Sequence, residues 1–185
     1  LASAKITGGT KYEAVIKAMT SRLKKSGFVE VGFLANDKYP DGTSIAMVAA
    51  IQNFGAPKKK IPPRPFMTNA RLKHEKEWPK QLLTILKSNG GDQEQALGQM
   101  GAIIKDQIQE EIRETFDPPL SPITVMLRGM KSKGIKVTGK TVGIAAQRVK
   151  DGKTNYGAST KPLIDSGDLL NNVHFQVTDK KPSGT

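Results

Sequence analysis

Apolar residues in this chain change their spacing several times, and each change marks an element. Tyr12, Val15, Ile16, Met19 and Leu23 recur at helical intervals behind Thr10 and Glu13, which have the spacing of a capping box. That pattern predicts a helix from about Lys11 to Lys25, with two lysines at its negative end and Gly27 as a left-handed stop. Between Phe28 and Leu34 the period falls to two, and Val29, Val31 and Phe33 share one face of a strand. Tyr39-Pro40-Asp41-Gly42 reads as a turn, and Ser44 caps a short helix carrying Ile45, Val48, Ala49 and Ile51, which Gly55 ends after Phe54.

Pro57, Pro62, Pro63 and Pro65 then stiffen the chain into an extended strut. From Phe66 to Ser88 the helical pattern returns through Leu72, Trp78, Leu82, Leu83 and Leu86, with Pro79 as a boundary or kink and Asn89-Gly90-Gly91 as the break. Asp92 and Gln95 open the longest helix, whose stripe of Leu97, Met100, Ile104, Ile108 and Ile112 runs towards Asp117-Pro118-Pro119. At about 24 residues it would extend roughly 36 Å. Ser121-Pro122 begins another short helix, through Leu127. Val173, Phe175 and Val177 alternate with polar residues in a closing half-buried strand, before a loose tail from Lys180 to Thr185.

Few strands among several helices, without a strand-helix-strand rhythm or an internal repeat, predict an α+β fold. The expectation is a single domain over 1–185. It has a small antiparallel or mixed sheet packed on one long and several shorter helices. A chain of 185 residues is long enough for one good core. Leu1 in place of an initiator methionine leaves room for residues ahead of it. The longest wholly apolar run, Ile45 to Ile51, falls far short of the roughly 20 residues of a membrane helix, so no membrane partner is expected.

Charge changes this picture in one segment. The chain carries 29 Lys and Arg against 17 Asp and Glu, a formal charge of +12. Between Arg128 and Lys161 nine basic residues face one acid, Asp151, leaving a local charge of +8. Ile135, Val137, Val142 and Ile144 around Thr138-Gly139-Lys140 predict a hairpin there, so 131–156 reads as an extended basic arm. With no cysteine, neither disulfides nor thiolate metal sites can hold the fold.

Candidate chemistry is sparse. The sequence has no thiol nucleophile, phosphate-binding loop, dinucleotide fingerprint or metal-spaced His pair. His74 and His174 read as surface residues, and Asp165-Ser166-Gly167-Asp168 as a turn and helix cap. No catalytic residue, cofactor or metal is expected.

Two stretches carry a resemblance. Tyr39-Pro40-Asp41-Gly42-Thr43-Ser44-Ile45-Ala46, continuing through Ala49-Ala50-Ile51-Gln52-Asn53-Phe54-Gly55 to Ile61-Pro62-Pro63-Arg64-Pro65-Phe66, is similar to a signature of tail-component and tail-completion proteins of long-tailed bacteriophages. Asp117-Pro118-Pro119-Leu120-Ser121-Pro122-Ile123-Thr124, followed after the basic arm by Lys161-Pro162-Leu163-Ile164-Asp165-Ser166-Gly167-Asp168-Leu169-Leu170, resembles a pattern of phage virion-morphogenesis proteins. The sequence departs at Asn53, where such proteins often have Glu, and at Ser166, where Thr is commoner.

The resemblance implies a non-enzymatic ring subunit, usually hexameric, in the neck of the virion. It would end tail-tube growth or join tail to head, with the tail-tube protein, a head-completion adaptor and copies of itself as partners, after assembly in the host cytoplasm. Candidate contact residues are Phe54, Gly55, Lys58, Lys59, Lys60, Arg64 and Phe66 in the first stretch, Lys136, Lys140, Arg148 and Lys150 in the arm, and Asp165 and Gly167 in the second stretch. For Phe54-Gly55 the reading favoured on residue chemistry is a buried Phe with a helix-ending Gly, and for Lys58 to Arg64 a solvated extended strut. The arm would order itself on a neighbouring subunit, or face phage DNA in the channel. The rival reading is a basic nucleic-acid-binding module. Against it stand six Phe, three Tyr and one Trp in the whole chain, and a long helix carrying Asp106, Glu110, Glu111 and Glu114.

Overall fold

The computed structural model describes Lys17, residues 27–34, 36–153 and 157–180. Apart from Lys17, which is helical, the predicted helix over Lys11–Lys25 lies outside the described residues, as does most of the tail. The rest form an α+β fold of seven α-helices and one two-stranded antiparallel sheet. Contacts group these residues into two compact units.

Among the described residues, the first unit comprises Lys17, 27–32, 72–106 and 174–180. Its sheet pairs β1 (Phe28–Gly32) with β2 (His174–Thr178) so that Val29 faces Val177 and Val31 faces Phe175. Directly opposed residues point to the same side of a sheet, so the two apolar faces legible in the sequence become one. That face rests on a glycine. A Cβ at Gly101 would lie 2.5 Å from Phe175 Cδ2 and 2.8 Å from Val29 Cγ2, so the ring reaches the helix because no side chain intervenes. Ala96, Leu97 and Met100 complete this core, and Gly27 is held by a similar approach, 2.7 Å from its would-be Cβ to Leu97 Cδ1. On the polar face of the sheet, Gln176 Nε2 donates to Glu30 Oε2 at 2.6 Å.

The second unit spans residues 33–71 and 107–173. Phe33 leaves the strand two residues short of the predicted end and meets Phe66 edge to face, with ring centroids 6.1 Å apart. Its helices begin with α1 (Ile45–Phe54), where Ser44 Oγ accepts from the Met47 amide at 3.3 Å and Gly55, at φ 77°, ends the run. The chain then enters α2 (Phe66–His74), breaks, and resumes among the residues of the first unit as α3 (Trp78–Ser88) with Pro79 in its first turn. The long helix is α4 (Gln93–Glu114), 22 residues opened by Asp92 Oδ1 accepting from the Gln95 amide at 3.0 Å. Its stripe passes Ile108 and Ile112 to the second unit, where they are buried with Ile45, Ala49, Phe66 and Val173.

The basic arm differs from expectation. Pro122–Ser132 forms α5, five residues longer than the predicted end, and the expected hairpin is instead a helix, α6 (Gly139–Lys150). Thr138 and Thr141 form a reciprocal capping box, each hydroxyl taking the other's amide, at 3.3 and 2.7 Å. Ala145 and Val149 then pack on Met126 and Met130 of α5. The valine and isoleucine alternation that suggested strands faces outward, each of the four residues being 38–52% exposed, whereas the buried stripe is carried by a small alanine that leaves little hydropathic signal. A four-residue helix, α7 (Asp168–Asn171), follows Gly167, which takes the left-handed conformation at φ 89°.

Candidate docking surface and its scaffold

Arg64 ties the two resembling stretches together. Its guanidinium donates from Nε to the Pro118 carbonyl at 2.8 Å, from Nη2 to the Pro119 carbonyl at 3.2 Å, and from Nη1 to Gln52 Oε1 at 3.1 Å. Its backbone amide also donates to the Gln52 carbonyl at 2.6 Å. Burial, and after it the nearby Arg128, pull its pKa below the ordinary arginine value, while Asp117 opposes them. A planar fork with three acceptors is a task that suits arginine. Arg64 was expected on a solvated strut and is 4% exposed, and Phe66 is fully buried. Neither therefore presents a side chain to a partner. The reason in both cases is that the Pro-Arg-Pro-Phe segment lies against α1 and the Pro118-Pro119 turn rather than standing in solvent.

Asn53 performs a second tertiary task. The Met67 and Thr68 amides donate to its Oδ1 at 3.0 and 3.3 Å, and its Nδ2 donates to Thr68 Oγ1 at 3.0 Å. The side chain thus caps α2 from fifteen residues away, satisfying amides that a helix start leaves unpaired. Gly55 sets the elbow between them. Its positive φ favours glycine, and a Cβ there would lie 2.9 Å from the Pro63 nitrogen and 3.0 Å from the Ile61 carbonyl oxygen.

These restraints leave one side of α1 uncovered. Ile45, Ala49 and Asn53 are buried at helical spacing, whereas Met47, Ala50 and Phe54 form the opposite stripe and are exposed, Phe54 to 75%. The buried phenylalanine favoured by residue chemistry is therefore an exposed one, because Asn53 takes the inward position at the end of the helix. Beside it the strut is folded back. Pro57–Lys59 makes a 3-10 turn, Lys60 takes a left-handed conformation at φ 54°, and Ala56 and Ile61 exchange hydrogen bonds of 2.8 and 3.1 Å. Lys58, Lys59 and Lys60 are consequently displayed at the tip of a closed loop.

Arg128 on α5 organises the second stretch. Its Nη1 donates to the carbonyls of Lys161 at 2.6 Å and Ile164 at 3.1 Å, its Nη2 to that of Pro162 at 2.9 Å, and its Nε lies 3.6 Å from Asp165 Oδ1. Lys131 Nζ stands 3.5 Å from Asp165 Oδ2. Burial lowers the pKa of Arg128 and Asp165 raises it. Asp165 thus serves an internal clasp, and Gly167 supplies the turn behind it.

A cleft of about 260 Å³ opens here, lined among others by Tyr39, Asp41, Gln52, Arg128, Lys131 and Asp168. The Tyr39 hydroxyl is pushed above its usual pKa by burial and then by Asp168, Asp165 and Asp41, so it stays protonated at neutral pH. Asp41 is held below the usual carboxylate range, chiefly by the Thr43 amide that donates to it at 3.0 Å. Ser166 Oγ donates to Asp168 Oδ2.

Lys136, Lys140, Arg148 and Lys150 all lie on the exposed surface of α6 or the segment leading to it. His74 and His174 are half-buried. Among the described residues, no group of three or more His, Cys, Asp or Glu side chains is placed to hold a metal ion, and no helix is long and apolar enough to cross a membrane. Sequence reasoning missed Gln52, Arg128 and the Met47–Ala50 part of the stripe. The last had a signal: the first seven residues of the helix, Ile45 to Ile51, are all apolar, which demands cover on every side there. Comparison of the chain with protein-family profiles, with curated proteins and with solved structures finds no match.

Proposed function

We propose that this chain is a structural subunit of the neck of a tailed bacteriophage, a ring-forming protein that ends the tail tube or joins it to the head by binding alone. The observation that carries the reading is the uncovered face of α1, with Met47, Ala50 and Phe54 outermost. Burying one such phenylalanine stabilises a contact by about 2 kcal/mol, and a ring repeats that contact at every subunit. Rigidity supports the same reading. Arg64, Asn53 and Gly55 hold the helix end and the lysine loop in one conformation, so little ordering cost falls on association. The resemblance supplies the setting. A tail tube grows by contacts that never close along its axis, and a subunit with a tube-like face on one side only would stop it.

Sedimentation of the pure full-length chain tests this, alone and with purified tail tubes. A closed ring, or a monomer that adds to tube ends, is expected, and Phe54→Asp should abolish either while leaving the circular dichroism spectrum unchanged. A monomer that ignores tail tubes, or a Phe54→Asp variant that assembles as the parent does, would overturn the proposal.

A further inference from the structure

The outward side of α6 is a basic stripe of one chemistry. Lys140, Gly143, Gln147 and Lys150 recur at helical spacing, all four are exposed, and they lie opposite the fully buried Ala145. The two lysines stand about 15 Å apart along the axis. Lys133 and Lys136 precede them in a run of exposed residues, Arg148 lies between them and Lys153 follows. From 133 to 153 six basic residues face one acid, a local charge of +5, and that acid, Asp151, already accepts a hydrogen bond from Gln147 Nε2 at 2.9 Å.

Gly143 adds a second feature. A Cβ there would meet nothing within 4 Å, so no contact inside the chain requires the glycine. A helix-interior glycine costs about 1 kcal/mol relative to alanine. What it provides is a low point between two lysines, where a broad surface can approach the backbone.

We infer that this face binds the phosphate backbone of duplex DNA. The charge is complementary: duplex DNA carries one negative charge per about 1.7 Å of axis, so a stripe of about 15 Å meets roughly nine. An acidic protein surface is the other candidate, but a stable protein contact wants an apolar centre. Here the centre is Lys140, Gly143, Gln147 and Lys150, and the aliphatic Val142 and Ile144 fall on opposite flanks of the helix. No base-reading side chain stands out, so binding is independent of sequence. The inference rests on α6 with its flanking lysines and holds whether or not the chain forms a ring.

Fluorescence anisotropy with a labelled duplex of arbitrary sequence and the full-length chain provides the test. Binding at low salt is expected, with log K falling linearly in log salt at a slope of about −4 to −5. Lys140→Glu with Lys150→Glu should weaken it at least about tenfold and flatten the slope by about two. Lys80→Glu with Lys87→Glu, an equal charge change on exposed residues of α3, should weaken it less than about threefold. Lys140→Gln with Lys150→Gln provides a gentler pair should reversal disturb the helix, and circular dichroism checks both. The inference is overturned by undetectable binding at low salt, by equal losses from the α6 and α3 pairs, or by poly-glutamate binding as tightly as DNA, which would point to an acidic protein.

Discussion

Single side chains in the second unit do work that their neighbours in sequence disguise. Arg64 follows three lysines and two prolines, yet its guanidinium supports two carbonyls and an amide from within the core. Arg64→Ala leaves those acceptors unpaired and is expected to cost about 3 kcal/mol in urea unfolding. Arg64→Lys should recover only part, since an ammonium is a point charge and cannot span the same three acceptors. Tyr39 gives a pH signature. Its folded pKa is raised, so the folded state favours the protonated phenol, and that contribution is complete below the unfolded tyrosine pKa of about 10 and is lost as pH rises through the higher folded value. Stability should therefore fall with rising pH above about 10, and Tyr39→Phe should flatten the decline when unfolding is followed by circular dichroism.

At the scale of elements, two helical glycines make opposite predictions. Gly101 lets the Phe175 ring touch α4, and Gly101→Ala is expected to destabilise by about 2 kcal/mol because the ring and Val29 must both move. Gly143 has open space around it, so Gly143→Ala should stabilise by about 1 kcal/mol. Thermal unfolding of the two variants checks both signs. The same contrast explains why α6 is hard to see in the sequence. Its inward stripe is threonine, alanine and valine, while its larger aliphatics point outward, so hydropathy alone favours strands.

Across the whole molecule the +12 charge gives the two proposed contacts opposite responses to salt. Self-association through the apolar face of α1 brings like-charged chains together, so screening should strengthen it. DNA binding releases counterions, so added salt should weaken it. Sedimentation and anisotropy over one salt series should diverge. Parallel trends would mean that the apolar face is not where copies meet.

Local signals survived folding wherever they were complete within a few residues. The caps at Ser44 and Asp92, the helix start at Ser121-Pro122, the stops at Gly55 and Gly91, and the separate alternating faces of Val29 with Val31 and of Phe175 with Val177 were all legible in the sequence, because each depends on backbone geometry over one or two turns or on strict alternation. Burial was not. Whether Phe54 points out and Arg64 in, whether Asn53 caps a distant helix, and which side of α6 is free all depend on segments brought together from far along the chain. A residue's own chemistry sets what its burial costs, while only packing decides whether its partners arrive to offset that cost.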